Sequence, residues 1–274
     1  MNHPQIAAFA RLAKENTLPT RALEGQKTLI SRTMHALAYD SVHDEIIVNS
    51  PLAQAILIFR GGANGEEAPI RVIQGPHTQI QGTDYDGNDQ MAYDEVHGEI
   101  YIPVDRTKIL TFSREANGDV APLRVLGGPD TQMRGSVRGH VRVGVDPVHN
   151  LLIVTSTGMG DPNGAASLLI FDRTANGNVK PRSVIKGPKT QVGGGSAAHV
   201  SAEKGMIIAG CGGGSVCAWS INDSGDVPPR WKIPVQQIAG VAPSGIALDP
   251  AHKEVIITSG NRNRVMTFSW PEVF

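Results

Sequence analysis

One phrase of this chain returns, with small changes, about every 50 residues. IFRGGANGEEAPIRVIQGPHTQ ends at Gln79, FSREANGDVAPLRVLGGPDTQ at Gln132 and IFDRTANGNVKPRSVIKGPKTQ at Gln191, while WSINDSGDVPPRWKIPVQQ, ending at Gln237, is a looser copy. The aromatics Phe9, Phe59, Phe112, Phe171, Trp219 and Phe268 mark the period, at intervals of 50, 53, 59, 48 and 49 residues. A proline follows each of the first five ten residues on, at Pro19, Pro69, Pro122, Pro181 and Pro229. A second phrase precedes the aromatic: ALAYDSVHDEIIV, QMAYDEVHGEIYI, VGVDPVHNLLIV, HVSAEKGMIIAG and IALDPAHKEVIIT. A unit of this length cannot bury its apolar face alone and must stack on its neighbours.

Each unit reads as four short strands: A in the ALAYD phrase, B in EIIV, C in AILIF and D in PIRVI. D-x-x-H, as in Asp40 to His43, stands between A and B, and Asn64-Gly65, Asn117-Gly118 and Asn176-Gly177 stand between C and D. Asn-Gly is a short-hairpin signal, because primed turns need positive φ. Glycine (31) and proline (18) are abundant enough to supply so many turns. Four antiparallel strands repeated around a ring make a β-propeller. Five A, B and D phrases predict an all-β, five-bladed propeller of four-stranded antiparallel blades. It forms a single domain, 1–274, with repeats near 35–84, 89–138, 140–195, 197–241 and 243–274, the last closed by 5–28. The chain starts with C and D signals and ends with A, B and C signals, so strands from both termini are expected to close the last blade and remove an open edge. The C signal occurs six times, at residues 6–9 as well as 265–268, one more than five blades need.

The segments GDVAP (118–122), GNVKP (177–181), VIKGPKTQ (184–191) and PSGIALD (243–249) resemble the NHL-like repeats of bacterial β-propellers, and the resemblance covers nearly the whole chain. It implies the propeller fold. For function it implies only a range: ligand-binding scaffolds, protein-interaction platforms, lyases and metal-dependent hydrolases.

A formal net charge of −1 with mixed signs makes no case for nucleic acid or an anionic membrane as partner. No apolar run approaches the roughly 18 residues of a membrane span. The N-terminal MNHPQIAAFARLAKENTLP lacks the pattern of a secretory leader, which points to a cytoplasmic protein or to one whose leader was removed. GxSxG, P-loop and HExxH signatures are missing, and the GCGGGS of 210–215 sits in a hairpin and opens no helix.

Residues that recur at one repeat position are read as structural: His43, His97, His149 and His252 in the A–B turn, Asp40, Asp94, Asp146 and Asp249 capping it, and Gln79, Gln132, Gln191 and Gln237 bonding backbone at the D–A connection. Of the other five histidines, His3 is terminal and His77 stands at a variable surface position, while His35, His140 and His199 each lie close to the entry of a strand A. Strand A is innermost in a propeller, and the D–A and B–C connections share the face around the channel mouth. Three imidazoles converging there would hold zinc, copper or iron with an open position, able to polarise a carbonyl or activate water. Three independent hydrogen-bonding histidines are the alternative, since their offsets from the strand-A aspartate differ and a one-residue offset reverses side-chain direction.

Two irregular connections, 81–90 and 156–167, belong to the same face. Beside them Arg142 and Tyr85 are candidate catalytic groups of an enzyme, and Asp89, Arg138, Arg262 and Arg264 candidate ligand-binding groups. Such a mouth suits a small polar or anionic ligand, with a protein partner as a further option. DYDGNDQMAYDE (84–95) echoes a calcium loop, but Asp89 occupies the position that requires glycine, which makes calcium an unlikely occupant. For Cys211 and Cys217 three readings stand: pairing across the hairpin, ligating a metal beside His199, or, by default, small buried residues. The leading functional expectation is a binding scaffold, with a metal-dependent hydrolase, lyase or oxidase as the alternative.

Overall fold

The computed structural model describes residues 5–31, 36–81, 90–135, 141–156, 164–193, 198–259 and 262–274. The protein is an all-β, five-bladed propeller. Blade 1 comprises β3 (Ala36–Asp40), β4 (Glu45–Ser50), β5 (Ala55–Arg60) and β6 (Arg71–Gln74). Blade 2 comprises β7 (Ala92–Asp94), β8 (Glu99–Val104), β9 (Lys108–Ser113) and β10 (Arg124–Gly127). Blade 3 comprises β11 (Val141–Asp146), β12 (Leu151–Ser156), β13 (Ser167–Asp172) and β14 (Ser183–Lys186). Blade 4 comprises β15 (His199–Ser201), β16 (Met206–Cys211), β17 (Ser215–Ser220) and β18 (Trp231–Ile233). All four are antiparallel sheets in A-B-C-D order. Blade 5 has three strands, β19 (Gly245–Asp249), β20 (Glu254–Ser259) and β21 (Arg264–Ser269), and the N-terminal β1 (Gln5–Ala8) and β2 (Arg21–Glu24) pair with each other.

The B and C strands read as continuous β-branched and aliphatic runs because both faces are covered, each by a neighbouring blade. Ile56 to Phe59 of β5 and Ile207 to Ala209 of β16 are fully buried. Separate apolar clusters fill the seams between blades 1 and 2, 2 and 3, 3 and 4, and 4 and 5, and a fifth joins the β1–β2 hairpin to blade 1 through Leu23, Val48, Leu57 and Phe59.

The recurring Asn-Gly works between blades. Each C–D connection is long, running from Arg60 to Arg71 in blade 1, so the pair does not form a short hairpin turn. Instead Asn64 Oδ1 accepts the Ala22 N–H at 3.1 Å, Asn117 Oδ1 that of Val72 at 3.1 Å, and Asn176 Oδ1 that of Val125 at 3.0 Å. The following glycines, at φ 62°, 75° and 71°, turn their own N–H and C=O onto the same strand of the preceding unit. Every D strand so bonded has its outer edge covered, which blunts an exposed ladder.

An arginine adds a second tie. Arg114, just past β9, donates to Glu45 of blade 1 at 3.0 Å and lies 3.9 Å from Asp40. Arg173, just past β13, bonds Glu99 of blade 2 and lies 3.5 Å from Asp94. Arg11, just past β1, repeats the arrangement with Glu254 at 2.6 Å and Asp249 at 3.5 Å. The hairpin therefore stands after blade 5 as blade 2 stands after blade 1, and its bridge from Leu23 to Gly65 places it before blade 1. The two termini thus meet side by side, but as separate sheets, the β1–β2 hairpin and the three-stranded blade 5, and not as strands of the one shared last blade that was expected. The surplus C signal is thereby explained: β1 and β21 are C strands of different units.

Candidate functional site

The A–B turns recur as one device. In each, Asp Oδ1 accepts the N–H of the histidine three residues on, and Oδ2 meets its Nδ1 at 2.8 Å, as in Asp40–His43, Asp94–His97, Asp146–His149 and Asp249–His252. The arginine ties belong to this same end of the ring. Burial alone would raise the pKa of Glu45, but hydrogen bonds from Arg71 and Arg114 outweigh it and hold the carboxyl below its ordinary value. Glu99 is likewise held low against burial, by Arg124 and Tyr101. Burial, together with the hydrogen bond to Asp40, pushes the Tyr93 phenol up. The two ionised carboxylates and the neutral Tyr93 phenol are thus engaged by protein partners and tie neighbouring blades together.

At the other end, the D–A and B–C connections are bound to each other. Ser50 Oγ accepts the Ser31 N–H at 3.3 Å and donates to Ser31 Oγ at 2.8 Å. Ser156 Oγ accepts the Arg134 N–H at 3.2 Å and donates to the Arg134 carbonyl at 2.9 Å. Three of the four recurring glutamines cap short turns with their backbone, and the fourth, Gln237, lies in a short helix, Val235–Ala239. Gln79, Gln132 and Gln191 each adopt φ near 60° (59°, 60° and 56°) to end a short 3-10 turn, and Leu29 takes that place after β2. The Thr hydroxyl before each glutamine donates to a glycine carbonyl three residues back, as Thr78 does to Gly75 at 2.7 Å.

Of the residues singled out in the sequence, His35, Tyr85, Asp89, Arg138 and His140 lie outside the described residues. Arg262 and Arg264 are exposed beside the B–C connection of blade 5. Arg142 and His199 are partly buried on the innermost strands β11 and β15. Counting back from the end of strand A, at Asp146 and Ser201, Arg142 stands four positions before and His199 two. Both belong to one alternate set, opposite to Val141 and Val143, which fill the seam between blades 2 and 3. That set faces the following blade. Gly144 comes so near blade 4 that an added Cβ would lie 1.9 Å from the Ala198 carbonyl oxygen. His199 meets the backbone of Ile246 in blade 5, and burial pushes its pKa down to about 4, so the ring is neutral. Among the described residues no group of three or more His, Cys, Asp and Glu is placed to hold a metal ion.

Cys211 and Cys217 form a disulfide across the β16–β17 hairpin, which corrects the default reading of two free, buried thiols. Their strands are paired in register, Ala209 opposite Cys217 and Cys211 opposite Ser215, so the two sulfurs meet diagonally.

A cleft of about 80 Å³ opens on the D–A/B–C face of blade 3, lined by Gln132, Arg134, Ser156, Ala165, Ser167, Leu169 and Lys186. Arg134, Lys186, Gln132 and two serines are among its lining residues, a composition that suits a small anion. The sequence reading missed Arg134 and Lys186. Lys186 ends its D strand where blades 1 and 2 have Gln74 and Gly127, so its variation within an otherwise regular phrase was the available signal.

No family model matches the chain, and no curated protein matches it. Solved structures do. The β-propeller domain of Cps50 (Swd1) from Myceliophteria thermophila superposes with a TM-score of 0.56 at 11% identity, over 87% of this chain and 65% of that one. A chain of the mitotic checkpoint complex superposes with a TM-score of 0.56 at 12% identity, over 92% of this chain and 64% of that one. The chain thus spans less than two thirds of each of those chains. At such identities the likeness concerns the fold alone, and the fold is a β-propeller.

Proposed function

We propose that the protein is a β-propeller binding scaffold whose D–A/B–C face holds a small polar or anionic ligand. The resemblance of its phrases to NHL-like repeats fits a scaffold of this kind. One observation carries the reading: Arg134 and Lys186 flank a polar cleft where D–A and B–C connections meet. Arg138, Arg142, Arg262, Arg264 and Asp89 would extend the recognition surface around the mouth, and a protein partner could dock on the same rim. Calorimetric titration with inorganic phosphate, sulfate and citrate tests it. Saturable binding of at least one anion, weakened about tenfold or more in Arg134→Ala/Lys186→Ala, is expected, since charge-assisted bonds are the strong ones. Binding of none, or binding indifferent to both substitutions, overturns it.

The second reading is a metal-dependent enzyme in which His35, His140 and His199 hold copper, zinc or iron and Arg142 and Tyr85 orient substrate. It is favoured by the neutral state of His199, the form an imidazole must take to ligate. Metal analysis of untagged protein separates the two: stoichiometric metal lost in His199→Ala supports the enzyme, and metal-free protein whose stability ignores chelator rejects it.

A further inference from the structure

The hairpin β1–β2 supplies the C and D strands of a unit whose A and B positions nothing among the described residues fills. In blades 1 to 4 the C strand pairs with B on one side and D on the other, whereas among the described residues β1 pairs with β2 alone. The innermost strands touch in the run β3, β7, β11, β15, β19, and among the described residues no comparably close contact joins β3 to β19. Leu37 of β3 shows what is missing. Its counterparts three residues before the end of strand A are Met91, Val143, Ala198 and Ile246, all 9% exposed or less because each packs on the preceding blade, yet Leu37 is 51% exposed.

The chemistry of the missing piece can be read from the other units. Where the D strand has arginine, its B strand opens with glutamate: Arg71 with Glu45 at 2.6 Å and Arg124 with Glu99 at 2.6 Å. Where the D position is Ser183 or Trp231, the B position is Leu151 or Met206. Arg21 of β2 is the register equivalent of Arg71 and Arg124, opposite Ala8 as they are opposite Ile58 and Thr111. It is exposed and has no carboxylate partner among the described residues.

We infer that the open edge of β1, with Leu37 and Arg21 beside it, is a docking site for a β-hairpin of another polypeptide. The occupant pairs its second strand with β1, opens that strand with a glutamate that meets Arg21, and lays an apolar first strand against Leu37. Backbone bonds to a free edge supply affinity, and the arginine and leucine supply selection. The site lies in the seam between blade 5 and blade 1 and is independent of the anion cleft.

The probe is a labelled peptide of the chain's own Met91–Val104, MAYDEVHGEIYIPV, which carries such a glutamate. Fluorescence anisotropy against the full chain is expected to saturate. Arg21→Glu weakens binding about tenfold or more, and a peptide with arginine in place of Glu99 regains it on that variant. Leu37→Asp weakens both peptides while leaving the circular-dichroism spectrum unchanged. No saturable binding at millimolar peptide, or binding that ignores Arg21→Glu, overturns the inference. So does a protein that sediments alone as a dimer abolished by Arg21→Glu, since the seam would then join two copies.

Discussion

Replacing Arg173 by methionine should loosen blade 3 from blade 2. Arg173 Nη1 donates to Glu99 and, at 3.3 Å, to the Tyr101 hydroxyl, and its Nε donates to Asn150 Oδ1 at 3.0 Å and lies 3.5 Å from Asp94. Removing one partner of a buried ion pair ordinarily costs about 3–5 kcal/mol, because a charge is left stranded. Here the stranding is partial. Glu99 keeps Arg124 at 2.6 Å and the Tyr101 hydroxyl at 2.5 Å, and Asp94 keeps the N–H groups of Val96 and His97 and the His97 ring. Methionine retains most of the apolar stem's packing. The expected loss is therefore about 2–3 kcal/mol, measured by urea unfolding followed by tryptophan fluorescence. A double-mutant cycle with Glu99→Gln should give a coupling of about 1–2 kcal/mol, because the two side chains touch. A loss below about 0.5 kcal/mol, or strict additivity, would show that the arginine is a solvated ornament of the seam and would refute the reasoning.

Gly144→Ala should destabilise by about 1–3 kcal/mol, because the new methyl would meet the backbone oxygen of Ala198, which no rotamer change can move; an unchanged denaturation midpoint contradicts that close approach. His199 gives an acid-side signature. With its pKa lowered from 6.5 to about 4 in the folded state, its share of stability is present above pH 6.5 and is lost as the pH falls toward 4. The loss approaches 1.4 kcal/mol per pH unit. Relative to wild type, His199→Gln should flatten the stability profile between those values, and parallel profiles reject the assignment. The depressed Glu45 and Glu99 carboxyls act in the same direction at lower pH, so Glu45→Gln/Glu99→Gln should lose stability at neutral pH and show a shallower decline below about 4.5.

Much of the fold was legible because a repeat states its alignment several times. Four- to six-residue apolar stretches, Asp-x-x-His turns and the aromatic ruler were enough for blades and strand order. What remained illegible was contact between units. The sequence shows that Asn64, Asn117 and Asn176 recur, but their service to the preceding blade appears only when blades are set side by side. Arg11 and Glu254 lie 243 residues apart, and nothing local links them. The sixth C phrase looked like an excess until β1 and β21 fell into different units. Cys211 and Cys217 were ambiguous because a hairpin spacing permits both pairing and simple burial. The site was the least legible part, because Arg134 and Lys186 gain meaning only from the cleft they share.

The account depends on the N-terminal hairpin standing beside blade 5. Cysteines placed at Arg11 and Glu254, with the Cys211–Cys217 disulfide intact, bring two thiols to positions whose native side chains meet at 2.6 Å. A short bis-maleimide followed by peptide mass mapping should then report an intramolecular 11–254 crosslink in monomeric protein at high yield. Modification of each cysteine singly, with no crosslinked peptide, would mean that the ends of the chain are apart and that the ring is not closed in this way.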